Sequence, residues 1–165
     1  LKIFSWTYNN IRKQPESLPA VDDHAWHIIV RGYGVNDQFS DVFATLCNYA
    51  GCDAYYIYIN SDDRLSKIIL AFVKIEKDWH IFDPYNGAYF IGDKGSLADI
   101  ASIKSGKYQL KYISAIETDY LKYANYIRNL PDTHEIGFRR ENIQSPLMRF
   151  LYGIQRIING RKNKI

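Results

Sequence analysis

The longest helical pattern in the chain lies at residues 31–51, with the sequence RGYGVNDQFSDVFATLCNYAG. Its apolar positions recur with helical spacing on one face. They are Phe39, Val42, Phe43, Leu46 and Ala50. Gly32 and Gly34 precede this face and permit a tight backbone turn. Asn36 or Asp37 is predicted as the N-cap, because either side chain accepts a hydrogen bond from a free backbone N–H. The pattern predicts one long central helix that ends at the final glycine.

Strand-forming residues dominate the next forty positions. DAYYIYIN at residues 53–60 is rich in aromatic and β-branched side chains and precedes a polar turn. Residues 67–76 form a second predicted strand, and its unbroken run IILAFV indicates burial on both faces. Residues 79–83 and 88–91 follow as shorter strands around the turn PYNG. The order predicts an antiparallel meander packed against the central helix.

Weaker patterns predict the flanking elements. Residues 3–13 have helical spacing, and Asp22 or Asp23 could cap a helix that continues to Val30. Residues 96–103 predict a short helix in which Ser96 and Asp99 form a capping box. Residues 107–115 predict a last strand, and residues 118–130 a further helix. Together these elements predict an α+β fold with a central helix, a small antiparallel sheet and flanking helices.

The charge of the chain is unevenly distributed. Its formal net charge is +3, but residues 138–165 carry seven Lys or Arg and one Glu. These residues also have apolar side chains at helical spacing, at Ile143, Leu147, Leu151, Ile154 and Ile158. We therefore divide the chain into a body, residues 1–137, and a basic amphipathic tail, residues 138–165. The tail can pack on the body, or it can bind an anionic surface such as a membrane.

The segments RGYGVNDQFSDVFATLCNYAGCDA and DWHIFDPYNGAYF resemble the transglutaminase-like fold, a relative of the papain-type cysteine peptidases. The resemblance covers roughly residues 21–103. It implies a nucleophilic Cys at the start of the central helix, a His on a following strand and an Asp one strand later. In this sequence the Cys position falls on Asn36, the His position near Ile68 and the Asp position on Asp83. Asp37 and Gln38 match the polar residues that follow the nucleophile.

Only Asp83 keeps the residue type that the resemblance implies for a catalytic triad. An amide such as Asn36 is not a useful nucleophile, and a thiol mechanism also requires a base within hydrogen-bond reach. Cys47 lies eleven residues after Asn36, about 16 Å along a helix. His80 and Asp83 are an odd number of residues apart on one strand, which places their side chains on opposite faces. The sequence thus predicts a papain- or transglutaminase-like frame with a degenerate triad.

Besides an accessory role, in which the basic tail docks the parent protein to a partner or a membrane, two functions remain open at this point. The first is a catalytically inactive domain that binds polypeptide, or another part of its parent protein, in a cleft. The predicted cleft residues are Tyr33, Asp37, Gln38, Trp79, Tyr85 and Tyr89. The second is an enzyme with altered, non-thiol chemistry based on Asn36, Asp37 and Asp83, because paired carboxylates can perform acid–base work.

Other kinds of site have little support in the sequence. The two cysteines, Cys47 and Cys52, are too few for a disulfide framework, and we expect free thiols. His24 and His27 have a spacing that suits a metal, but no third ligand with suitable spacing accompanies them. No phosphate loop, zinc motif or hydrolase serine elbow is present. We therefore expect no metal, no cofactor and no nucleic-acid partner.

Overall fold

The computed structural model describes residues 1–19, 21, 24–93, 95–114 and 123–132. Its helices are α1 (Lys2–Asn10), α2 (Ala25–Arg31), α3 (Asn36–Tyr49), α4 (Ile100–Lys104) and α5 (Ala124–Ile127). Its strands are β1 (Arg12–Lys13), β2 (Tyr33–Gly34), β3 (Ala54–Asn60), β4 (Lys67–Ile75), β5 (Asp78–Asp83), β6 (Ala88–Ile91) and β7 (Gln109–Tyr112). The predicted tail, from residue 138 onward, lies outside the described residues.

The main sheet has five antiparallel strands in the order β3-β4-β5-β6-β7. Each strand pairs with its neighbour in sequence, as expected when short turns join antiparallel strands. Helix α3 packs on this sheet through a cluster that includes Phe43, Ala44 and Cys47 of the helix and Ala71 and Val73 of β4. The predicted α+β fold, with a central helix packed on an antiparallel meander, is confirmed.

Strand β4 is buried on both of its faces, as the run IILAFV predicts. Ala71 and Val73 face α3, whereas Leu70 and Phe72 belong to the cluster on the opposite face. Helix α4 and the segment around α5 cover that opposite face, with Ile103 and other side chains buried in the same cluster. The sheet therefore lies between two layers of helix, and the two faces form separate cores.

The start of α3 is fixed by a small parallel pairing that the sequence pattern did not reveal. The helix predicted for residues 3–13 ends at Asn10, because β1 pairs with β2 immediately before α3. Two residues per strand give too short a pattern to detect. The pairing ties the end of α1 to the turn that carries Gly32, which has a φ of 76° and caps α2.

Three predicted helix caps are wrong. Helix α2 begins after His24, whose Nδ1 accepts a bond from the Trp26 N–H, and Asp22 and Asp23 lie outside the described residues. Helix α4 begins after Asp99, which accepts from the Ser102 N–H at 2.6 Å, so Ser96 is not in a capping box. The four residues before α4 instead extend along β5 and β6 through bridges at positions 97 and 99.

The third wrong cap is that of α3, whose N-cap is Val35 and not Asn36 or Asp37.

The last strand and the last helix are also shorter than predicted. The last strand is Gln109–Tyr112, and within the predicted helix 118–130 the described helical residues are Ala124–Ile127. None of the described helices is both long enough and apolar enough to cross a membrane.

Candidate functional site

The first residues of α3 use their own side chains to satisfy the free backbone N–H groups of the helix. Asn36 is exposed, and its Oδ1 accepts a bond from the Asp37 N–H at 2.8 Å. The carboxylate of Asp37 in turn accepts from the Gln38 N–H at 2.9 Å. A helix N-terminus attracts anions through such N–H groups. Here the side chains of Asn36 and Asp37 already bond two of these N–H groups, each that of the following residue, although the N-cap of the helix is Val35.

Gln38 holds the turn before α3 in place. Its side chain is buried, with 7% exposure. Oε1 accepts bonds from the Val35 N–H at 3.1 Å and the Arg31 Nη2 at 3.0 Å, and Nε2 donates to the Val21 carbonyl at 2.6 Å. A Cβ at Gly34 would lie 2.9 Å from Oε1, so only glycine leaves room for this amide. Gln38, which the sequence predicted as a cleft residue, is therefore a buried residue that stabilises the turn before α3.

Replacing Gln38 with alanine is expected to lower the free energy of unfolding by about 2–3 kcal/mol, because the buried amide and its three partners lose their hydrogen bonds. Asn36→Ala is the matched control. Its amide is exposed and makes one local bond, so we expect a loss below about 1 kcal/mol. Urea unfolding of both variants measures the difference. Equal losses would show that the Gln38 amide does not hold the turn.

Two half-buried tyrosines flank the start of α3. The Arg31 guanidinium lies 4.9 Å from the centre of the Tyr33 ring, and the Lys13 ammonium lies 4.2 Å from that of Tyr85. Tyr85 also packs edge-on against Phe39 of α3, with ring centres 5.1 Å apart. Both rings are thus fixed by neighbours and oriented around the first turn of the helix. Lys13 and Arg31 were not among the predicted site residues. The contact of Lys13 with Tyr85 joins distant segments, whereas Arg31 lies only two residues before Tyr33.

Asp83 lies in the core, at 2% exposure. Its carboxylate accepts bonds from the Asn86 N–H at 3.0 Å, the Asn86 Nδ2 at 2.8 Å and the Tyr123 hydroxyl at 2.8 Å. Burial raises the pKa of Asp83 above its ordinary value, while the bonds from Asn86 and Tyr123 act in the opposite direction. Asn86 lies in the PYNG turn three residues after Asp83, so the sequence could have indicated it as a hydrogen-bond partner. No sequence signal connects Asp83 with Tyr123, forty residues later.

The three positions of the degenerate triad are not brought together. Ile68 pairs with Ile59 and is buried in the core on the face of the sheet opposite α3. Asp83 pairs with Ala88, which belongs to the same core. Asn36 is the first residue of α3, the helix on the other face. A base placed at residue 68 would therefore point away from the helix that carries Asn36.

Two further predicted cleft residues, Trp79 and Tyr89, lie on opposite faces of the sheet. Trp79 is buried at 7% exposure in the core opposite α3, edge-on to Tyr55. Tyr89 is half-buried on the α3 face, with its ring centre 5.8 Å from that of Phe4. Of the other predicted cleft residues, Asp37 follows Asn36 in the first turn of α3, and Tyr85 packs on Phe39 of the same helix.

Both cysteines are free thiols, and neither lies at the start of α3. Cys47 is buried near the end of that helix, and burial raises its pKa to about 12. Cys52 is half-buried and follows the helix. Because the thiolate is the reactive form, Cys47 is unsuited to nucleophilic chemistry.

His80 lies away from Asp83, as the odd spacing predicts. It pairs with Val73 of the α3-facing core, and its Nδ1 lies 3.0 Å from the Ala98 carbonyl oxygen. The ring lines a cavity of about 520 Å³ between the β4–β5 turn and residues 92–99. Glu76, Asp78 and Asp99 line it as well. Two hydrogen bonds that Ser102 donates to Asp99, from its hydroxyl and from its N–H, lower the pKa of Asp99.

The described residues do not surround His24 and His27 with further metal ligands. His24 caps α2 with Nδ1, and its ring centre lies 6.3 Å from that of His27. Within the described part of the chain, no group of three or more His, Cys, Asp or Glu could hold a metal ion.

Comparison with known proteins gives one distant structural neighbour. No protein-family model matches the sequence, and no curated protein matches it. Among solved structures, the chain is similar to one described as a putative cysteine protease from Cytophaga hutchinsonii, with 19% sequence identity and a TM-score of 0.45. The match covers 67% of this chain and 39% of that one, so this chain spans well under half of its neighbour.

Proposed function

We propose that this chain is a papain- or transglutaminase-like domain without thiol chemistry, which binds polypeptide or another part of its parent protein at the start of α3. The observation that carries the proposal is the composition of that helix end. It carries the exposed carboxamide of Asn36, with Tyr33 three residues before it and Tyr85 packed on Phe39 one turn later, at the position where the resembling fold has a nucleophilic sulfur. Aromatic rings beside an amide suit an extended peptide, since they supply contact area and hydrogen bonds together.

The geometry disfavours an enzyme with altered chemistry. That hypothesis requires Asp37 and Asp83 to converge in an open cleft. Asp37 instead caps the first turn of α3, and Asp83 is 2% exposed in the core on the other face of the sheet. A carboxyl that substrate cannot reach and that is bonded to three donors has no direct role as an acid or base.

Thiol reactivity tests the absence of sulfur chemistry. The native protein is treated with iodoacetamide at pH 7.5, and modification of each cysteine is followed by mass spectrometry. With a pKa of about 12, Cys47 is expected to react at least about a thousandfold more slowly than a free cysteine, whose pKa is near 8.5. Cys52 is expected to react no faster than a cysteine peptide.

Asn36→Cys is the positive control for this experiment. A thiol at this exposed position of α3 is expected to react faster than Cys52, because a helix N-terminus favours the thiolate. Rapid, stoichiometric alkylation of Cys47 or Cys52 in the native chain would contradict the proposal. So would peptide hydrolysis that iodoacetamide abolishes.

Peptide binding is tested separately, with a library of random twelve-residue peptides selected on the native protein. Peptides that bind at the start of α3 are expected to lose at least tenfold in affinity for Tyr33→Ala and Tyr85→Ala. Trp79→Phe, a change in the opposite core, is the control and should leave the affinity unchanged. Equal binding to all four proteins, or enrichment of no peptide, would refute binding at this site.

A further inference from the structure

An apolar groove crosses the outer surface of the helical layer, between α1, α2 and α3. Its volume is about 470 Å³, and the described residues that line it are Lys2, Ile3, Trp6, Trp26, Ile29 and Leu46. Trp6 and Trp26 are 41% and 44% exposed. Contiguous apolar surface of this kind marks an interaction site in soluble proteins. The groove is separate from the start of α3 and plays no part in the proposed function.

The chain itself contains a segment that matches this groove. It continues for 33 residues after Asp132, and residues 143–158 carry five aliphatic side chains at helical spacing. Pro146 belongs in the first turn of a helix, so a helix over these residues would start near Ser145 and be about 21 Å long, with one apolar side and with Arg149 and Arg156 elsewhere on its surface. An amphipathic helix of this type gains most of its stability by packing its apolar side against another apolar surface.

The connection is long enough to reach the groove within one molecule. The described chain ends at Asp132, whose carboxylate bonds the Lys104 ammonium of α4 on the far face of the sheet. Packed layers of secondary structure are about 10 Å apart, so the groove lies on the order of 30 Å from this point. Because the helix is expected to start near Ser145, twelve residues connect it to Asp132, and they span up to about 43 Å when extended, which allows a path around the sheet.

We propose that the apolar side of residues 143–158 packs as a helix in the α1–α2–α3 groove of the same chain. The match is between apolar surfaces, because Lys2 is the one charged residue among the described lining residues. The docked segment covers Trp6 and Trp26 and leaves its arginines in solvent. The groove is thus a binding surface for the C-terminal segment of the chain.

Tryptophan fluorescence of the full chain, quenched with acrylamide, tests this proposal. The third tryptophan, Trp79, is 7% exposed and provides a protected background. Leu151→Asp places a charge on the apolar side of the segment and is expected to raise the quenching constant of the accessible tryptophans at least twofold. Tyr152→Asp makes the same change in charge about 100° further around the helix, off the apolar side, and should not alter quenching. Equal quenching of the native chain and Leu151→Asp would overturn the proposal.

Cross-linking locates the contact without a destabilising substitution. A photoreactive benzoylphenylalanine at Trp26 replaces one exposed aromatic ring with another. After irradiation, peptide mapping is expected to find cross-links to residues 143–158 within single chains. The same probe at Tyr58, on β3, is the control and should not cross-link to that segment. Cross-links from position 26 that join two chains, or that fall only outside residues 143–158, would contradict docking within one molecule.

Discussion

Replacing Asp83 with alanine is expected to lower the free energy of unfolding by about 3–5 kcal/mol. The substitution removes the acceptor for three bonds, from the Asn86 N–H, the Asn86 Nδ2 and the Tyr123 hydroxyl. Tyr123 is itself buried, at 4% exposure. Leaving a buried donor without a partner costs more than the bond itself contributes. Urea unfolding at neutral pH measures the loss.

The double variant Asp83→Ala, Tyr123→Phe separates the lost bonds from the donor left without a partner. Tyr123→Phe alone is expected to cost about 1–2 kcal/mol, because it removes one hydroxyl and leaves Asp83 with two donors. The double variant should cost less than the sum of the two single variants, since it contains no buried phenol hydroxyl. Additive losses would show that Asp83 and Tyr123 do not interact.

The pH dependence of stability provides a second measurement on the same carboxyl. Burial raises the pKa of Asp83, so the folded state binds this proton more tightly than the unfolded state does. The stabilisation from the proton is complete below the ordinary carboxyl pKa of about 4, and it is lost as the pH rises through the folded value. Asp83→Asn has no such titration. The native chain is therefore expected to lose stability relative to this variant as the pH rises above about 4. A trend in the opposite direction would mean that the three donors outweigh burial.

Replacing Phe4 with alanine is also expected to cost about 3–5 kcal/mol, because it opens a cavity where α1, α3 and the sheet meet. Phe4 is 1% exposed, and its ring centre lies 5.6 Å from that of Phe43, 5.1 Å from that of Phe82 and 5.8 Å from that of Tyr89. One side chain therefore joins three elements. Thermal and urea unfolding of Phe4→Ala measure the loss.

Val30→Ala is the control for this prediction. Val30 is an apolar helical residue at 87% exposure, so its truncation should change the free energy of unfolding by no more than about 0.5 kcal/mol. If Phe4→Ala unfolded no more easily than Val30→Ala, α1 would not be part of the core.

The sequence determined the central helix, the strands of the main sheet and their order, because periodicity is a local property. Phe39, Val42 and Phe43 recur with helical spacing, and they lie on the buried face of α3. The run IILAFV has no polar position, and β4 is buried on both faces. The odd spacing of His80 and Asp83 correctly predicted that their side chains separate. In each case the pattern requires only that apolar side chains leave water.

The tertiary structure alone decided which side chains meet. Nothing near Asp83 in the sequence indicates that Tyr123 donates to it, or that this carboxyl is buried away from Asn36. The N-caps of α2, α3 and α4 differ from the predicted ones by one or more residues. Before α4, bridges at Leu97 and Asp99 to the sheet occupy the residues predicted to start the helix. Spacing along a chain fixes which face of an element a residue occupies. Which faces pack together depends on contacts between distant segments, and those contacts placed Asn36, Ile68 and Asp83 apart.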